Sequence, residues 1–237
     1  FMFEPEGLGM TYREEANHSV AQAYATRKAN CLSFTLLFVA LARQADLDVA
    51  PQEIEETLAW RQADGTLYLS NHVNAVVRIG SRRYIVDGAG DNVVARGAPA
   101  PIAIVDGRAA AFYEGVDRGG AHGQTDRAGH IQGAHGIPFT EITDERLMSH
   151  YYNNLAVQRL EQGDHVGGLA LADTALALAP GYASHWSNAG VLHLRNGDIA
   201  SAARAYARAL ALDPRNANAV FNVASPGART GGRPRQE

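Results

Sequence analysis

The second half of this chain is written nearly twice. Residues 151–180, "YYNNLAVQRLEQGDHVGGLALADTALALAP", align with residues 185–214, "HWSNAGVLHLRNGDIASAARAYARALALDP", at an offset of 34 positions. Tyr152 meets Trp186, Asn154 meets Asn188, Gly163-Asp164 meets Gly197-Asp198, Ala175 meets Ala209 and Pro180 meets Pro214. A repeat of this length is one supersecondary unit stacked on its copy. The Gly-Asp pair in the middle ends one helix and caps the next. Small residues at Gly190, Ala203 and Ala209 are expected to let the two helices approach, and Pro180 and Pro214 to stop the second helix. A third unit opens at "ANAVFNVA", residues 217–224, and breaks at Ser225-Pro226-Gly227.

The period, the aromatic, the mid-repeat glycine and the terminal proline together resemble the tetratricopeptide repeat. The resemblance implies repeats at 149–182 and 183–216 with a partial one at 217–224, inside an all-α segment 144–224. Two and a fraction units fall short of the usual three, so they are expected to lean on the N-terminal domain. Their first helices carry Tyr151, Asn154, Gln158, His185 and Asn188. Asn154 and Asn188 are candidates for a peptide groove, because each amide offers both a donor and an acceptor. The competing expectation is that these asparagines bond neighbouring helices or meet the core domain.

Hydrophobic residues make up 46% of the 237 and charged residues 19%, enough apolar material for a packed core. A net charge of −4 supplies neither a nucleic-acid groove nor a polybasic membrane surface. A protein bound through the repeats is the partner expected of this half of the chain. No apolar run reaches the roughly 18 residues of a membrane span. The opening "FMFEPEGLGM" reads as a cut point. A targeting segment upstream would place the protein in the cell envelope or periplasm; otherwise the cytoplasm is expected. The tail, 225–237, reads as disordered.

One cysteine in the chain excludes an internal disulfide framework. It lies in "RKANCLSFTLLFVALARQ", behind Asn30, a good N-cap, so Cys31 is expected in the first turn of a helix. Free amides and the macrodipole there favour an anion. The helix is apolar nearly all round, which makes it a core helix. A small buried hydrophobe is the alternative role for Cys31.

"HVNAVVRIGSRRYIVDGAG" reads as a β-hairpin turning at Gly80-Ser81. In that register paired residue numbers sum to 161. Val73, Ala75, Val77, Ile79, Tyr84 and Val86 then share an apolar face. His72, Asn74, Arg78, Arg83 and Asp87 share the other. His72 and Asp87 become diagonal neighbours about 7–8 Å apart, within side-chain reach. A thiol at a helix start, a histidine opening a strand and an aspartate closing the next form a nucleophile, a base and an orienting acid.

The order Cys31, His72, Asp87, with "NCLSFTLLFVALARQADLDV" before and "HVNAVV" and "YIVD" after, resembles the transglutaminase-like core of the papain-like cysteine enzymes. It is similar in particular to bacterial proteins that join such a core to tetratricopeptide repeats. The fold implied is α+β: a core helix packed on an antiparallel sheet over 1–96, then the helical repeats. Cys31 would be the nucleophile, His72 the general base and acid, and Asp87 the orienter. Such chemistry requires no cofactor and no metal.

Gln52, on the strand expected after the core helix, and Asn74 are candidates for the oxyanion site or the cleft, and Trp60 for a cleft wall. Segment 97–143 is expected to be an insert or linker rich in glycine and histidine. Its His122, His130 and His135 with Asp126 have the residue types of a zinc or nickel site, but glycine-rich chain does not hold ligands rigidly, so a loop is the expectation. The function expected is acyl transfer on peptide or amide bonds through a thioester, hydrolysis before cross-linking. The alternative is a non-catalytic repeat scaffold with the core as a binding platform.

Overall fold

The computed structural model describes residues 2–54, 59–63, 66–70, 72–80, 82–88, 103–105, 108–110, 112–115, 131–132 and 138–224. In chain order the elements begin with β1 (Thr11–Tyr12), α1 (Val20–Thr26), β2 (Lys28–Ala29), α2 (Cys31–Gln44) and β3 (Asp48–Ile54). There follow β4 (Ala59–Ala63), β5 (Thr66–Ser70), β6 (Val73–Ile79) and β7 (Arg82–Val86). Then come β8 (Ala103–Val105), β9 (Arg108–Ala110), β10 (Phe112–Gly115), β11 (Ile131–Gln132) and β12 (Pro138–Glu141). The helical part is α3 (Asp144–Glu161), α4 (His165–Leu178), α5 (Ala183–Arg195), α6 (Ile199–Leu212) and α7 (Ala217–Ala224). None of the described helices is long and apolar enough to cross a membrane.

The chain divides into two units, and the division does not follow the sequence order. One comprises 1–58 and 71–147, the other 59–70 and 148–237. The first is a six-stranded antiparallel sheet in the order β10-β7-β6-β3-β12-β11 with α2 on it. Its core is Phe34, Leu37, Val39 and Ala42 of α2 against Val49, Ala75, Val77 and Val86 of the sheet. The β6–β7 register runs Ala75↔Val86 to Ile79↔Arg82, the sum of 161 that a Gly80-Ser81 turn requires. Gly80 has φ +60, the left-handed conformation such turns use.

Described strands within 97–143 join the sheet. Strand β10 pairs with β7 on one side of the hairpin, and β12 pairs with β3 on the other. Glycine and alanine lower strand propensity, but pairing to an existing sheet edge decides the outcome. The start of α3 is tied back to this unit by two forked ion pairs. Arg146 grips Glu53 at 3.1 and 2.6 Å, and Asp144 accepts from Arg43 at 2.6 and 2.9 Å.

In the second unit, α3 to α7 form two helical hairpins and a final helix. Gly163 and Gly197 take φ of +80 and +82, and Asp164 and Asp198 cap α4 and α6 by accepting from Gly167 and Ser201 amides, both at 2.9 Å. Ala209 is buried as the small-residue reading requires, whereas Ala203 faces solvent; Ala202 and Ala205 fill the interface instead. Gly190 makes the tightest approach of one helix to another among the described glycines, since a Cβ there would lie 2.5 Å from the ring of Tyr206. Gly190→Ala is therefore expected to destabilise the protein by about 1–3 kcal/mol through overpacking. That outweighs the gain in helix propensity of roughly 1 kcal/mol. The midpoint of urea unfolding reads the effect, and an increase would show that Tyr206 yields freely.

Candidate active site

The start of α2 is held by local chemistry on every side. Asn30 Oδ1 caps it by accepting from the Ser33 amide at 2.9 Å, and the Asn30 amide donates to Ala16 O at 3.1 Å. The Ser33 hydroxyl accepts from the His18 amide at 2.7 Å and lies 3.0 and 2.9 Å from the carbonyls of Ala16 and His18. Cys31 is thus the first residue of α2, and it is partly exposed. The Thr35 hydroxyl lies 2.8 Å from Cys31 O and 3.3 Å from Val73 O, which ties the thiol's turn of helix to the residue after His72.

His72 immediately precedes β6, and Asp87 immediately follows β7. His72 is 6% exposed. Its Nε2 lies 2.5 Å from Asp87 Oδ2, and Cys31 is close enough to act on the ring's pKa. Burial pulls the imidazole pKa down, but the Asp87 carboxylate and Cys31 push it further up, from 6.5 to about 10. The ring therefore holds its proton at neutral pH. This end of the hairpin's polar face is buried, at His72 and at Asn74.

Gln52 and Asn74 face each other across β3 and β6 and are 2% and 1% exposed. Gln52 Oε1 and Asn74 Oδ1 are buried acceptors without a hydrogen-bond partner among the described residues. The register carries this row outward to Glu141, opposite Gln52, where Arg78 and Arg83 meet the carboxylate. One step beyond the last β6–β7 pair, the same row reaches Asp87. Tyr12 was not singled out by sequence reasoning. Burial holds its phenol well above the ordinary value, and the charges of Cys31, Glu14 and Asp87 hold it there further. Its place comes from the parallel pairing of β1 with β2, Tyr12 opposite Ala29, two residues before Cys31. Two-residue strands carry no periodicity, so no sequence signal marks it.

Trp60 lies in β4 opposite Leu69, and its side chain is outside the described structure. His122, Asp126, His130 and His135 lie outside the described residues, as does the tail 225–237. Asn188 does not line an open groove: it is 1% exposed and its Nδ2 donates to Asn153 Oδ1 at 3.1 Å, an interhelix bond between α5 and α3. Asn154, its repeat equivalent, is half-buried, so the pair does not present two free amides to a peptide. His185 and Tyr151 are buried as well.

What these two units define is a mixed helix-and-sheet protein with a C-terminal helical segment. Residues 186–216 match the family described as tetratricopeptide repeat. The match spans α5 and α6 from Trp186 to Asn216. No curated protein matches the chain.

Proposed function

We propose that Cys31 is the nucleophile of an acyl-transfer enzyme acting on peptide or amide bonds, with His72 as acid and base and Asp87 as its orienter. The observation that carries this reading is a buried imidazole held at 2.5 Å by a carboxylate, with a thiol at a helix start close enough to act on it. As the anion paired with protonated His72, the Cys31 sulfur attacks the acyl carbon, and His72 delivers its proton to the departing nitrogen. The resulting thioester is released to water or an amine. Partial exposure of Cys31 makes water the default acceptor, and so hydrolysis precedes cross-linking. The Cys31 amide, without an intrahelical acceptor, is one donor for the oxyanion. A core helix on an antiparallel sheet supports the transglutaminase-like, papain-like reading of this unit.

A second reading is favoured by the match at 186–216: a scaffold that binds proteins through its repeats and uses the sheet unit as a platform. Labelling separates the two. A primed thiol is expected to react with iodoacetamide at pH 7 about tenfold faster than free cysteine, and 4-nitrophenyl acetate to leave one acetyl group on Cys31 by intact mass. Labelling at the rate of free cysteine, with no acetyl adduct, would leave the scaffold reading standing.

A further inference from the structure

The oxyanion that forms when a thiolate attacks an acyl carbon needs hydrogen-bond donors, and the Cys31 amide is one. Gln52 and Asn74 leave oxygens without partners among the described residues, and oxygens accept rather than donate. Tyr12 is placed differently. The Thr11 amide donates to Arg27 O at 2.8 Å and the Arg13 amide to Ala29 O at 2.9 Å, so β1 lies along the chain that leads into Asn30 and α2. Side chains of an extended segment alternate. Met10, two residues before Tyr12, is 2% exposed and belongs to the core with Phe34 and Leu37 of α2. Tyr12 points to that same side, level with Ala29 and so at the start of α2. Asp87 arrives at the same place. A Cβ on Gly88 would lie 2.2 Å from the ring of Phe34, which seats Asp87 beside the first turn of α2. Electrostatics agrees with this convergence. Burial, then the charges of Cys31, Glu14 and Asp87, hold the Tyr12 phenol above its ordinary pKa, so it keeps its proton at neutral pH. Tyr12 is partly exposed, and no hydrogen bond engages its hydroxyl among the described residues.

We propose that the Tyr12 hydroxyl is the second donor to the oxyanion formed when Cys31 attacks the acyl carbon. As the carbon–sulfur bond forms, the carbonyl π pair moves onto oxygen. The Cys31 amide and the Tyr12 hydroxyl each donate one hydrogen bond to that oxygen, and no proton leaves the phenol. When the leaving nitrogen departs with the His72 proton, the carbonyl re-forms and both bonds weaken. The donors thus act most strongly on the transition state, where the charge develops. This role rests on the acyl-transfer reading.

The test compares two reactions of the same thiol in the full chain. Alkylation by iodoacetamide displaces iodide and forms no oxyanion, whereas acylation by 4-nitrophenyl acetate passes through one. Tyr12→Phe keeps the ring and removes only the donor. It is expected to slow acetylation of Cys31, followed by intact mass, about 100-fold. Alkylation at pH 7 is expected to stay within about twofold of wild type, which also shows that the variant keeps an intact site. An acetylation rate within about threefold of wild type overturns the proposal. A matched fall in both rates overturns it too, because the hydroxyl would then act on the thiolate. Failure of the underlying reading looks different. A wild-type chain that forms no acetyl adduct ends that reading and the inference with it, whereas an adduct formed equally fast by both chains ends the inference alone.

Discussion

Cys31→Ala is expected to lower acyl transfer by about 10⁴-fold or more while leaving the fold intact. The thiol is the only sulfur nucleophile of its type in the chain. It sits on the first residue of α2, partly exposed, where the helix is held by the Asn30 cap and the Ser33 hydroxyl rather than by sulfur packing. Removing one sulfur there is expected to change the unfolding free energy by less than about 1 kcal/mol. Ester hydrolysis and urea denaturation, measured on the same preparation, check both halves. A loss of several kcal/mol with activity never present would make Cys31 a packing residue and end the enzymatic reading.

Asp87→Asn is expected to cost about 10³–10⁴-fold in kcat/KM, because an amide cannot hold the imidazole in the same protonation state and tautomer. The pH dependence distinguishes this from simple misfolding. In the native protein His72 is raised to about 10, with burial opposing and Asp87 and Cys31 overcoming it. Its proton is needed for the leaving nitrogen, so native activity is expected to fall as pH climbs through about 10. The variant's alkaline limb is expected at lower pH, because the carboxylate that raises His72 is gone. Stability follows the same sign. A raised folded-state pKa contributes stability that is fully present below 6.5 and is lost as pH rises through about 10. The difference in unfolding free energy between native and variant is therefore expected to be largest up to about pH 6.5 and to shrink toward pH 10. A difference that is flat across this range would assign the His72–Asp87 contact no ionic character.

Several features of the fold were legible because their causes are local. The Asn30 cap puts Cys31 at a helix start through contacts within three residues. The β6–β7 register follows from a two-residue turn, since a one-residue slip would turn the apolar face away from α2. The Gly-Asp caps of the repeats are equally short-range. The opposite holds for Asn188. Its residue type suits a groove or an interhelix bond equally well, and only the approach of α3 to α5 selects the bond to Asn153. Arg146 and Glu53 are 93 positions apart, and nothing in either neighbourhood announces the pair.

By itself, the sequence determined the elements: a capped apolar helix behind Asn30, a hairpin of fixed parity after His72, and helices with a 34-residue period. Each rests on spacing, turn chemistry or capping, which act over a few residues and survive without the rest of the fold. The tertiary structure decided the surroundings. It buried the hairpin's polar end inside a six-stranded sheet, recruited β10 and β12 from a glycine-rich segment, brought Tyr12 near the charges of Cys31 and Asp87, and placed β4–β5 with the helices. Burial and long-range strand pairing depend on which surfaces meet, and many pairings share one local pattern. The raised pKa of His72 belongs to this second group, because desolvation and a carboxylate 15 residues away set it jointly.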